Sequence, residues 1–518
     1  MKQEIELKLM LPEGSAALRP ARLRRVLGAP QAARLQTLET TYFDTADGWL
    51  RSHDMALRVR RVGGVRIQTL KVPGRAIGGL QSYVEFEQEI DGDRPVLNAV
   101  GDLKLRRKLQ RVGMPTRLRP FFTTRFERAT LLVQENGSTI EVALDRGRIT
   151  SRRGEMPIHE IEFELKSGNP ADLFRCAERV VEEIPARLGL ATKAARGFML
   201  AMRSKPTPAR AVPLQLGRKD SAGDAFAAIA HNCLDQLRAN EAAILHSEDD
   251  EAIHQFRVAI RRLRAAIGAY RELIDDGAHA MLSIDLRWLQ RQFGPARDLD
   301  VLIAETLVPM QARLLGQTAI GPLVEIAETE RAEARRRAHL ALDNPRYASM
   351  LLQIYRLLLT GEWRGRSSEA EAGLSRPVRQ FANSLLGKRH KRLVRLGGAH
   401  ADLSEPELHR LRLLGKKMRY AGQAFASLYR NKRAERYLNQ LGAIQDHLGS
   451  LNDAVVGRHL LVELIARLQR ERGVAESDVR LLQGVVLGWQ SRRIAIDLSG
   501  FPATWEAFLA VRKFWGDK

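Results

Sequence analysis

The chain has 518 residues, 44% of them hydrophobic and 28% charged, with a formal net charge of +22. That length exceeds one ordinary domain and supports real cores, and the positive balance points to a polyanion: nucleic acid, an anionic membrane or polyphosphate. Aromatics at 6% count against a base-stacking surface, two distant cysteines (Cys176, Cys233) exclude a disulfide framework and a CxxC metal site, and no 18-residue apolar run offers a membrane span.

The amino terminus enters a strand pattern directly, without an apolar signal core, which fits a cytoplasmic protein. In "EIELK" (4–8), Glu4, Glu6 and Lys8 alternate with Ile5 and Leu7, so the three charges share one strand face. The same period of two governs residues 1 to about 203. Arg58 and Arg60 share a face in "LRVRRV", and "QTLKV" offers Lys71. "YVEFEQEI" alternates Glu85, Glu87 and Glu89 with apolar residues, "TIEVALD" sets Glu141, Ala143 and Asp145 on one face, and "HEIEFELK" repeats the pattern with Glu160, Glu162, Glu164 and Lys166. Many strands with one charged face predict an antiparallel sheet. Helical patches interrupt it near 15–28 and 170–189.

One such strand reads as a solvated face. Several together, with the apolar faces kept clean, read as a closed sheet whose charges turn inward. Burying so many ions dry would cost several kcal/mol each, so the lumen is wet or occupied. Lysine and arginine (Lys8, Arg58, Arg60, Lys71, Arg125) hold phosphate oxygens, and clustered carboxylates hold Mg²⁺ or Mn²⁺. The ligand expected is a metal-bound oligophosphate.

"EIELK", "YFDT" (42–45), "ALRVR" (56–60), "TLK" (69–71), "ALD" (143–145), "EIEFE" (160–164) and "TKAARG" (192–197) together resemble the CYTH domain of the triphosphate tunnel metalloenzymes, in the order found in bacterial inorganic triphosphatases. The resemblance implies an eight-stranded antiparallel β-tunnel with flanking helices over residues 1–203, hydrolysing inorganic triphosphate with two divalent ions. It assigns Glu4, Glu6, Glu160 and Glu162 to metal, with Glu164 on the same face. Lys8, Arg58, Arg60, Lys71, Arg125 and Lys193 would clasp the phosphate chain. Asp145 and Glu85 would stand nearer the second metal or the water, with Glu87 and Glu89 competing for the place of Glu85. The superfamily leaves organic triphosphates and a class IV adenylyl cyclase activity as alternatives, and a non-catalytic polyphosphate-binding granule protein is a third. His53 and His159 read as ordinary polar residues.

"SKPTPARAVP" (204–213) opens a linker read as 204–217. From 218 to 518 the period becomes 3.6, with Gly or Pro breaks expected at "FGP" (293–295) and "LGG" (396–398), so this half is all-α. It contains a repeat. "HQFRVAIRRLR" begins at His254 and "HRLRLLGKKMR" at His409, 155 residues on, and the register carries Gln290 to Gln445, Gly294 to Gly449 and Asp298 to Asp453. His254, Arg257, Arg261 and Arg264 form one helical stripe, as do His409, Arg412, Lys416 and Arg419, with Arg262 and Lys417 adjoining. Like charges at these spacings repel by some tenths of a kcal/mol per pair, which a bound polyanion reverses. Asp298 and Asp453 would orient or partly neutralise the stripes. "KRHKRLVR" (388–395) and "RNKRAER" (430–436) would extend them. A two-His, two-Asp zinc site lacks a defined ligand geometry.

The "HxxRVxxRRxR" and "HxxRxxxKKxRY" motifs resemble the CHAD domain. This implies two duplicated four-helix bundles with a basic surface for inorganic polyphosphate, and hence a place at polyphosphate granules. The fold class expected is α+β multidomain, with no membrane partner and nucleic acid disfavoured.

Overall fold

A computed structural model describes residues 2–12, 18–74, 79–111, 113–313, 320–398 and 403–516. The chain divides into two compact units, one of Met1–Pro206 with Leu342–Glu362, the other of Thr207–Ala341 with Trp363–Lys518.

The first unit is built on nine strands: β1 (Lys2–Met10), β2 (Arg34–Asp44), β3 (Ala56–Val62), β4 (Val65–Pro73), β5 (Gln81–Glu89), β6 (Arg119–Glu135), β7 (Ser138–Ser151), β8 (Gly154–Ser167) and the two-residue β9 (Arg187–Leu188). Their order is β5-β4-β3-β2-β6-β7-β8-β1-β9, and β1 also pairs with β5, so eight antiparallel strands close into a barrel with β9 added beside β1. The β6–β7 hairpin turns on Asn136 and Gly137, both at positive φ (48° and 82°), as a two-residue turn matched to strand twist requires.

Inside and outside are inverted relative to a packed sandwich. The apolar residues of β1 and β8, including Leu7, Leu9, Ile161 and Phe163, face outward and are buried beneath the helix Ala171–Glu183, while the charged alternates face the lumen. The flanking helices are α1 (Pro20–Leu27), α2 (Leu103–Arg111), α3 (Ala171–Glu183) and α4 (Lys193–Met202). Part of the helical patch expected at 15–28 lies outside the described residues, and α1 occupies the rest. A further helix, Pro345–Thr360, belongs to this unit and packs on α3 and β9. Tyr355 stacks on Phe174 (centroids 6.1 Å apart), and Arg356 bonds Glu178 at 3.0 Å.

The lumen is not charged throughout. Leu38, Tyr42, Phe122, Phe126, Ile149 and Ile158 cluster around Phe198 of α4. Gly197 permits this approach, since a Cβ there would lie 2.1 Å from the Phe122 ring.

The second unit is all helical among its described residues. Its long helices are α5 (Ala222–Ala239), α6 (Asp250–Ala269), α7 (Asp276–Leu302) and α8 (Ile320–Asp343). The Pro345–Thr360 helix follows as α9, and α10 (Val378–Gly397), α11 (Glu405–Phe425), α12 (Asn431–Arg472) and α13 (Glu476–Ala510) complete the series. Advancing the first residues of α5 to α8 by 155 reaches the first residues of α10 to α13 within one position. The duplication therefore extends from motifs to whole helices. The break expected at 293–295 does not occur: α7 runs through Pro295. The carbonyls of Phe293 and Gly294 beside it both accept from the Arg257 guanidinium. The helix α10 does end at Gly397.

Candidate functional site

The charged part of the lumen is a cavity of about 670 Å³. Strand parity fills it. On β1, Lys8 lies opposite Glu162 and Glu6 opposite Glu164 of β8, and on the other flank Glu4 lies opposite Tyr83 of β5.

Two ionic clusters face each other across it. In the first, Lys71 Nζ lies 2.5 Å from both Glu4 and Glu85, and Arg58 lies 3.7 Å from Glu85. Burial pushes the Glu4 carboxyl up to about 7; Lys71 opposes this, while Glu6 and Glu85 add to it. Glu85 goes the other way: despite burial, Lys71 and Arg58 hold it down at about 2. Arg60 is pushed down to about 10 by Arg58 and by burial, and its Nε has no hydrogen-bond partner.

The second cluster is deeper. Lys193 Nζ touches Asp145 (2.6 Å), Glu160 (2.6 Å) and Glu162 (2.9 Å), and Lys8 reaches Glu160 (3.2 Å) and Glu162 (2.9 Å). Arg128 forks onto Asp145 (2.7 and 2.6 Å) and also reaches Glu162 (2.5 Å), while Arg196 bonds Glu160. Burial works against every charge here, but the mutual pairing wins: Lys8 is held well above the usual lysine range and Glu162 well below the carboxylate range. Lys193 owes its place to α4, whose first turn is capped by the Thr192 hydroxyl accepting from Ala195 N at 3.0 Å.

Most residues expected from the sequence converge here. Glu4, Glu6, Lys8, Arg58, Arg60, Lys71, Glu85, Glu162, Glu164 and Lys193 line the cavity, and Asp145 and Glu160 are fully buried in its wall. Arg125 does not join them. It is exposed on the outer face of β6, and Arg128 is the β6 cation in the lumen. An odd separation on a strand places the two on opposite faces. Apolar residues occupy the inward positions Phe122 and Phe126, so charge alternation does not mark which face of β6 turns inward. Arg196 was quoted in "TKAARG" without a role; its spacing of three from Lys193 on α4 carried that signal. Of the three glutamates on β5, Glu85 and Glu87 line the cavity and Glu89 does not. Asp44 of "YFDT" is architectural: its carboxylate accepts from the backbone N–H groups of Thr45, Leu50 and Arg51. His53 sits outside the cluster, exposed and bonded to Trp49 O at 2.8 Å.

Among the described residues the cavity is lined by eight carboxylates and eight lysines or arginines. A wall so balanced does not by itself neutralise a multiply charged phosphate chain. Oxygen-only donors suit hard divalent cations, and the donors fit. Glu4, Glu6, Glu162 and Glu164 open onto the cavity, where burial first, and then Glu6 and Glu85, raise the Glu4 carboxyl. Asp145, Glu160 and Glu162 also present oxygens within 4.8 Å of one another, although Lys8, Lys193, Arg128 and Arg196 already contact every one of those oxygens.

In the helical unit the duplicated motifs behave as duplicates. Arg257 meets Asp298 (3.2 Å) as Arg412 meets Asp453 (3.7 Å). Arg264 bonds Gln290, and Arg419 bonds its counterpart Gln445. The two stripes share one field. Burial, then Arg412 and Arg261, push Lys416 down to about 7, and the buried Nε atoms of Arg261 and Arg412 have no hydrogen-bond partner. Burial and neighbouring arginines push His254 down to about 4. Arg262 instead turns to Asn232 and Gln236 (2.6 Å each). His409 is exposed and paired with Asn452, and Lys417 is exposed. No helix among the described residues is long and apolar enough to cross a membrane.

Residues 2–198 match the CYTH domain family and residues 228–462 the CHAD domain family. Over 204 residues the chain is 36% identical to a Haemophilus influenzae protein named inorganic triphosphatase, a match covering 39% of this chain and 56% of that one. Over 225 residues it is 28% identical to an uncharacterised Mycobacterium tuberculosis protein, covering 42% of this chain and 41% of that one. The chain thus spans about half the length of the curated relatives it matches. The crystal structure of the CHAD domain from the plant Ricinus communis aligns at 30% identity with a TM-score of 0.50, covering 59% of this chain and 98% of that one.

Proposed function

We propose, from the match of residues 2–198 to the CYTH domain family and of residues 228–462 to the CHAD domain family, that the barrel hydrolyses linear inorganic triphosphate to diphosphate and phosphate. The observation that carries this is the cavity itself, a barrel lumen lined by cations suited to phosphate oxygens and by carboxylates that balance them. Arg58, Arg60 and Lys71 bind and orient the chain from one wall, and Arg128 from the other. Arg60, without a carboxylate of its own, has most to gain from a phosphate oxygen.

Lys8 and Lys193 hold Glu160 and Glu162 ionised, which keeps that wall rigid. Glu4, Glu6, Glu162 and Glu164 would hold Mg²⁺ or Mn²⁺, in two ions by the family's precedent. When bound, such an ion screens the phosphate oxygens and acidifies nearby water. Water attacks a terminal phosphorus in line, the bond to the bridging oxygen breaks, and diphosphate leaves. Asp145 and Glu160, sealed by Lys193, Arg128 and Arg196, act as struts for the cations.

The helical unit, on the same reading, binds inorganic polyphosphate along Arg257, Arg261, Arg412 and Lys416, where buried guanidinium nitrogens want acceptors. The decisive experiment is phosphate release by the full chain from inorganic triphosphate, ATP and thiamine triphosphate, with and without chelator. Chelator-sensitive turnover that is fastest on inorganic triphosphate is expected. Faster turnover of an organic triphosphate overturns the substrate, and turnover indifferent to chelator and to Glu4→Gln overturns the metal role.

A further inference from the structure

The barrel carries a second basic feature outside its cavity. Helix α2 reads "LKLRRKLQR" and contains no acidic residue. At 100° per residue, Lys104, Arg107, Lys108 and Arg111 fall on one stripe, opposite the fully buried Leu109. All four are exposed. Some surface arginines on this unit are paired, Arg61 and Arg66 with Asp93 at 2.6 Å, Arg117 with Asp47 at 2.7 Å and Arg148 with Glu155 at 2.8 Å; others stand singly, whereas α2 gathers four cations on one face. The four cations of α2 have no carboxylate partner among the described residues. Spacings of three and four make them repel one another, so the stripe is a standing cost that only an anion removes.

Its position gives it a use. Lys108 Nζ lies 5.4 Å from the Trp49 ring. Trp49 opens the single helical turn Trp49–Ser52, which Asp44 pins, and Arg51 of that turn is exposed and lines the cavity. Lys108 of the stripe thus stands against the short helix whose Arg51 lines the cavity. The cavity wall is charge-balanced, so attraction over distance comes from cations outside it, these four among them.

We propose that the α2 stripe is a docking track for long-chain inorganic polyphosphate at the cavity rim, an inference that rests on the oligophosphate reading of the cavity. No aromatic residue lies on the stripe, so it offers stacking to no nucleobase, and a linear phosphate chain is the polyanion it suits. The full chain carrying K104Q, R107Q, K108Q and R111Q tests this. Triphosphate hydrolysis is measured with long-chain polyphosphate as competitor over a range of salt. In the variant, the polyphosphate concentration giving half inhibition rises about tenfold, and the slope of log affinity against log salt flattens by about two to three. Uninhibited turnover of triphosphate and the far-ultraviolet circular dichroism stay as in the wild type, which separates docking from misfolding. Equal inhibition of both proteins by polyphosphate overturns the proposal, as does duplex DNA competing as well as polyphosphate in the wild type alone. If neither protein hydrolyses triphosphate, the cavity reading fails instead. Direct binding of labelled polyphosphate, in a background with Arg257, Arg261, Arg412 and Lys416 changed to glutamine, then decides the stripe: affinity unchanged by the α2 substitutions refutes it.

Discussion

Replacing Tyr355 by alanine should weaken the barrel unit, although Tyr355 is 149 residues beyond the last residue of the unit's main segment, Pro206. Tyr355 is 2% exposed, stacks on Phe174 at an interplanar angle of 17°, and presses against Gly79. Truncating a buried aromatic of this kind costs about 3–5 kcal/mol, transfer and cavity terms together. For a unit of roughly 230 residues, each kcal/mol lowers Tm by about 2–4 °C, so a drop on the order of 10 °C is expected. The functional effect follows the chain: α9 braces α3 and β9, β9 hydrogen-bonds β1 at Leu9 and Met10, and the same segment runs on to Lys193. Triphosphate turnover in Tyr355→Ala should therefore fall at elevated temperature before the helical unit melts. Thermal unfolding by circular dichroism, read beside phosphate release, checks this. A Tm shift under about 2 °C, or full activity of an isolated fragment ending at Pro206, would show that α9 is dispensable and that the reasoning is wrong.

Lys193→Met should strip three carboxylates of their shared cation, destabilising the barrel by about 3–5 kcal/mol and cutting turnover at least about a hundredfold; Tm and kcat measured together test both parts. Arg128→Ala should lose about a hundredfold or more in kcat/KM while Arg125→Ala stays within about twofold, and the reverse ranking would sink the inward parity of β6. Lys416 is charged below its value of about 7 and neutral above it. Polyphosphate affinity of the helical unit should therefore fall about threefold to tenfold between about pH 6 and pH 8; titrations on Lys416→Arg should lose that dependence. Arg257→Gln and Arg412→Gln should each reduce the salt slope of polyphosphate binding by about one without changing triphosphate kcat.

Alternation on β1, β5 and β8 was enough to place Glu4, Glu6, Lys8, Glu85, Glu162 and Glu164 on one face each, because a strand's period of two is local geometry. The repeat offset of 155 likewise matched Arg257 to Arg412 and Asp298 to Asp453 before any helix was placed, and the structure pairs them within each copy, because duplication copies contacts with residues. Three things were not local. Strand β6 carries apolar and charged residues on both faces, so the choice of Arg128 over Arg125 waited for the barrel to close. Which glutamates open onto the cavity and which are sealed depends on cations from β1, β6 and α4 meeting across it, contacts more than 30 residues apart in sequence. Periodicity showed α9 only as one helix among many in the helical half. Its membership of the barrel unit is decided by packing on α3 and β9, since a helix's pattern reveals which face is apolar but not what will cover it.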